Sequence, residues 1–121
     1  MSGERIVLCH SLACLVWMRH AAETQEPAAE RVLLVAPPCT DEVPAVVRFR
    51  PADIDAATLA RAAATTLMVC SDEDPYCPAG AETAFPGVFE DVQRIPGGGH
   101  LNPDAGYGPW PFAEDWALGR R

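Results

Sequence analysis

A chain of 121 residues, 49% of them hydrophobic and 21% charged, can bury one core, so it reads as a single domain, 1–121, rather than a disordered segment. Its formal charge of −8 comes with no basic cluster to neutralise phosphates, which argues against nucleic acid and anionic membranes as partners. The five cysteines, Cys9, Cys14, Cys39, Cys70 and Cys77, form no CxxC pair or zinc-type spacing, and reduced thiols in a cytoplasmic protein are the expectation.

The first predicted strand is the short apolar run Arg5 to Cys9, and a helix is expected from Leu12 to Glu23. That helix is apolar nearly all round, which suits deep packing against a sheet. The same N-terminal stretch fails as a secretory signal, because Glu4 cancels the positive flank and Arg19-His20 occupy the cleavage region. No run approaches the roughly 20 apolar residues that a membrane span requires. Arg31 to Ala36 and Thr65 to Cys70 repeat the pattern of strands buried on both faces, and Asp91 to Ile95 is an alternating candidate for a fourth. Pro37-Pro38 closes the second strand, and the aperiodic, proline-bearing segment to Pro51 reads as a long surface loop. Short helices are expected over Asp55 to Ala64 and Pro78 to Phe85, with a last one from Pro109 to Leu118 carrying Trp110, Phe112 and Trp116. Strand and helix alternating in this way predict an α/β fold of about four parallel strands with helices on both faces.

Three chemically active residue types fall at predicted strand ends. Ser11 follows the first strand and opens the first helix. Asp72 and Asp74 follow the third in Ser71-Asp-Glu-Asp-Pro-Tyr-Cys-Pro78, and His100 follows the fourth in Pro96-Gly-Gly-Gly-His100. Each has a plain structural reading: a helix cap for the serine, a solvated turn for the acids, a loop end for the histidine. Together they supply a nucleophile, an orienting anion and a base, in the chain order of α/β-hydrolases and at the carboxyl ends of parallel strands. The glycines before His100 allow close backbone approach at that turn.

The segments Cys9-His-Ser-Leu-Ala13, Leu33-Leu-Val-Ala-Pro37, Cys70-Ser-Asp-Glu-Asp-Pro-Tyr-Cys-Pro78, Gly99-His-Leu-Asn102 and Gly106-Tyr-Gly-Pro-Trp-Pro111 closely resemble the retinoblastoma-binding protein 9 and YdeN-like serine hydrolases. The resemblance spans nearly the whole chain. It implies Ser11 as nucleophile, Asp74, the aspartate directly before proline, as acid, and His100 as base, with Asp72 the fallback acid. Leu12 is implied as one oxyanion N–H donor, and no metal or cofactor is implied. Two departures stand out. The usual G-x-S-x-G becomes Cys9-x-Ser11-x-Ala13, a small-for-small exchange expected to be tolerated. The family's opening strand and the loop that gives the second oxyanion donor would lie N-terminal to the nucleophile strand, so an N-terminally truncated hydrolase is expected, with that strand as an open edge.

Two functions from different classes follow as expectations. One is a serine hydrolase acting on a small ester, thioester or amide. The other is a noncatalytic remnant that associates, with itself or a partner, through the exposed edge strand. The remaining histidines, His10 and His20, have no ligand-like spacing. Cys9, Cys14 and Cys70 are read as packing residues, and Trp110 and Trp116 as core anchors.

Overall fold

The computed structural model describes residues 5–24, 26–39, 54–108 and 110–119. Its elements run β1 (Ile6–His10), α1 (Leu12–Glu23), β2 (Ala29–Val35), α2 (Ala56–Ala62), β3 (Ala63–Ser71), α3 (Ala81–Ala84), β4 (Asp91–Ile95) and α4 (Pro111–Ala117), with a short 3-10 turn at Pro103–Ala105 before α4. The fold is α/β. The four strands are all parallel and lie in chain order, β1-β2-β3-β4.

That order dictates the layers. Each strand is added on the same side of its predecessor, so right-handed crossovers send α1, α2 and α3 to one face. Val32, Leu34, Met68 and Cys70 meet these helices through Cys14, Leu15, Met18, Leu59 and Ala81. The other face, with Leu33, Val35 and Val69, is covered by α4 through Trp116, flanked by Trp110 and Phe112. The period-2 alternation of the strands therefore feeds two separate cores. Leu33, Leu34, Met68 and Val69 are fully buried, each contributing about 1.5–3 kcal/mol by its removal from water.

Two arginines close helix ends where carbonyls lack helical partners. Arg61 donates to Ala21 and Thr24 at the end of α1, and Arg31 donates to Trp116 and Ala117 at the end of α4, with its guanidinium 5.1 Å from the Trp116 ring centre. Both put positive charge on the negative end of a helix dipole.

The expected strands and helices are present, with ends shifted by a few residues. Two expectations change. The helix Leu12–Glu23 is not buried all round: Leu12 and Val16 are exposed, because among the described residues β1 is an edge strand and nothing packs on that flank of α1. Nor is β1 buried on both faces, since Leu8 is half exposed for the same reason. The reading of five reduced thiols is also overturned. Cys39 and Cys77 form a disulfide, joining the segment after β2 to the loop after β3, because those two strands are neighbours and their C-terminal loops meet. Cys9, Cys14 and Cys70 are free, and Cys14 and Cys70 are buried as expected. Most of the loop predicted over Pro37 to Pro51 lies outside the described residues, so that prediction stays untested.

Candidate active site

The chain turns from β1 into α1 within one residue, Ser11, whose backbone sits at φ 59°, ψ −124°. A non-glycine residue in this region costs of order 1–3 kcal/mol and persists only when its surroundings hold it. Here the Ser11 N–H donates to the Val35 carbonyl on β2 at 2.8 Å, and the Ser11 carbonyl accepts from the Cys14 N–H at 2.9 Å. The turn is thus fixed from both sides, and the serine side chain is left without a capping role: it makes no cap bond to α1. The small residues flanking it fit their surroundings, with Ala13 exposed and Cys9 half-buried.

The acid loop leaves β3 at Ser71, whose hydroxyl accepts the Glu73 N–H at 3.1 Å. Asp74, only 4% exposed, accepts the Tyr76 N–H at 2.9 Å, and its carbonyl accepts the Cys77 N–H at 3.1 Å. The base loop leaves β4 through Pro96-Gly-Gly-Gly. A Cβ on Gly98 would stand 2.7 Å from the end of the Leu101 side chain and 3.3 Å from Cβ of Ser71, so the loop packs closely onto the end of β3 and a larger residue there would displace Leu101. Asp72 does not reach the histidine. It accepts the Gly97 N–H at 2.7 Å and so ties the base loop to the acid loop.

These loops bring His100 between the other two predicted residues. Its Nε2 is 2.7 Å from Ser11 Oγ, and its Nδ1 is 2.9 Å from both Asp74 oxygens. An ionised carboxylate only accepts, which makes Nδ1 the protonated nitrogen and leaves Nε2 to accept the serine hydroxyl. His100 and Asp74 are both buried, so the imidazolium formed when Nε2 takes a proton meets its counter-charge with little water between them. Leu12 follows Ser11 as the first residue of α1, where backbone N–H groups lack helical partners.

Two side chains at this site carry no signal that spacing alone reveals. His10 Nε2 lies 2.9 Å from the His100 carbonyl, with the two rings 4.9 Å apart. The Tyr76 ring lies 4.4 Å from the His100 ring on the acid loop. Beside His10 a groove of about 340 Å³ runs along β1, lined by Leu8, Leu33, Val35, Leu101 and Trp110. Burial pushes the Cys14 thiol far above its ordinary range and raises Cys9 and Cys70 as well, which leaves these thiols protonated and unsuited to nucleophilic work. Among the described residues no group of His, Cys, Asp and Glu is arranged to hold a metal, and no helix is long and apolar enough to cross a membrane.

A parallel sheet with a strained serine turn at the head of its first helix belongs to the α/β-hydrolase class. The comparison with protein families narrows this: the model of the serine hydrolase family matches residues 1–117, and the chain belongs to that family. Neither a curated protein nor a solved structure gives a match.

Proposed function

We propose that this chain is a hydrolase similar to the retinoblastoma-binding protein 9 and YdeN-like enzymes, cleaving a small ester, thioester or amide through an acyl-enzyme. The observation that carries the reading is the continuous chain of hydrogen bonds from Ser11 Oγ through His100 to Asp74. Ser11 Oγ attacks the carbonyl carbon while His100 Nε2 takes its proton, and Asp74 holds the tautomer and balances the imidazolium. The Leu12 N–H donates to the oxygen on which charge develops. As the tetrahedral centre collapses, His100 returns the proton to the leaving group. It then takes a proton from water, whose oxygen attacks the acyl carbon, and as this second tetrahedral centre collapses it returns that proton to Ser11 Oγ, freeing the acid and the enzyme.

The test is covalent labelling. A fluorophosphonate should modify the purified protein at Ser11, with fluoride leaving. The label should vanish in Ser11→Ala and fall by at least a hundredfold in rate in His100→Ala, to order of magnitude. A folded, monodisperse wild type that takes up no label would sink the enzymatic reading.

The second reading is association through β1, with a second copy or another protein as partner. It draws on the position of β1 at the sheet edge and on the exposed Leu8, Leu12 and Val16 beside it. Light scattering over a concentration series tests it, an unlabelled but self-associating protein being its signature. A cytoplasmic setting remains part of the hydrolase proposal, and the Cys39–Cys77 bond is the observation that weighs against it. Cell fractionation with thiol trapping decides between them.

A further inference from the structure

The base loop starts from β4 at one edge of the sheet, yet its histidine must meet a serine on β1 at the other. Three strand spacings separate them, roughly 14 Å. Along that span the loop is tied near its start by Gly97 to Asp72 and at its middle by the His100 ring to Asp74. At the far end, beside Ser11 itself, the backbone contact comes from His10: the His100 carbonyl can only accept, so His10 Nε2–H donates to it at 2.9 Å.

We propose that His10 is a positioning residue, which fixes the backbone of the catalytic base to the strand that carries the nucleophile. The proposal rests on the serine hydrolase reading for its kinetic consequence. His10 is the last residue of β1 and Ser11 the next in the chain, so one rigid segment holds both the nucleophile and the anchor for the base. Drift of the base loop away from β1 therefore strains the His10 bond together with the 2.7 Å contact between Ser11 and His100, so the His10 bond resists it. The His10 ring also lies 4.9 Å from the imidazole and the Tyr76 ring 4.4 Å from it, contacts that limit rotation of His100. Displacement of a catalytic group by about 1 Å costs about a hundredfold in rate, so an anchor at this point acts on turnover without touching substrate.

Three variants separate the donor from the ring. Glutamine at this position puts an amide N–H about as far along the side chain as Nε2, whereas phenylalanine keeps the ring and removes the donor. His10→Ala and His10→Phe should lower the fluorophosphonate labelling rate about a hundredfold. His10→Gln should stay close to wild type, with all three folded by circular dichroism. If His10→Gln is as slow as His10→Ala, or if His10→Phe labels like the wild type, the proposal is overturned. Should His10→Ala fail to fold, the Phe and Gln variants carry the same comparison. A second readout stands apart from activity: the low-field proton resonance of His100 Nδ1–H against Asp74. It should persist in His10→Gln and be lost or broadened in His10→Phe, and its persistence in both would overturn the proposal. Should the folded wild type not label, the hydrolase reading alone falls, and this resonance decides the role of His10.

Discussion

Ser11 adopts a backbone conformation that its neighbours must enforce, and in the proposed mechanism Asp74 sets the tautomer of the base that would activate it. In Asp74→Asn the amide can donate to Nδ1, which moves the proton of His100 to Nε2 and removes the acceptor for the serine hydroxyl. We expect the labelling rate to fall by roughly a thousandfold or more with little change in fold. Rate measurements on the folded variant check this, and a loss smaller than tenfold would assign the orienting role elsewhere. Asp72, two residues earlier, bonds to backbone instead of imidazole. Residue pattern alone left both aspartates open; the family resemblance singled out the one before proline, which is the one that lies against His100. The part played by Asp72 was not legible in the sequence, since it depends on where Gly97 lies after β4.

At the scale of single elements, α2 shows how a seven-residue helix is held at both ends. Asp55 accepts the Thr58 N–H and hydroxyl, each at 2.8 Å, and these bonds lower its pKa, the backbone bond most. A depressed carboxylate stabilises the fold above the ordinary aspartate range, near about pH 4, and that contribution is lost as pH falls through the folded value. Asparagine caps equally well without titrating. Asp55→Asn should therefore match the wild type at neutral pH and lose less stability in acid, as thermal unfolding between neutral pH and about pH 3 would reveal. A parallel loss in both proteins would remove Asp55 from the acid response. The helix α1 teaches a different lesson at this scale. Its residues are apolar on nearly every side, yet among the described residues cover comes from the side facing the sheet and α2, because hydrophobicity records what a helix can bury and topology decides what it meets.

Over the whole molecule, the parallel strands and the helices on both faces follow from patterns that the sequence displays openly: continuous apolar runs alternating with helices, and serine, acid and histidine after the first, third and fourth strands; the order of the strands in the sheet is read from the structure. What escaped the sequence arises from the approach of segments far apart in the chain. Cys39 and Cys77 are 38 residues apart, and nothing in their spacing marks them as partners before β2 and β3 are paired. The bond ties the acid loop to the segment leaving β2, with Cys39 N–H to the Tyr76 carbonyl at 2.9 Å beside it. Closing a loop of that size removes about 4 kcal/mol of unfolded-state entropy at room temperature in the chain-entropy model. Reduction, or Cys39→Ser, should lower unfolding stability by about 2–4 kcal/mol in urea titrations. The native chain should also weigh two hydrogens less than its fully reduced form by intact mass, and equal masses would disprove the cross-link.

Strands laid down in chain order give the protein a history as well as a shape. Ser11 and His100 are 89 residues apart, the first just after β1 and the second beyond β4. At a translation rate of roughly 5–20 residues per second, the serine is made about 4–18 seconds before the histidine that would activate it. During that interval β1, β2 and β3 can already pair in order behind the growing end. A chain interrupted before His100 therefore holds a serine without its proposed base, and it also lacks α4, the cover of the second core.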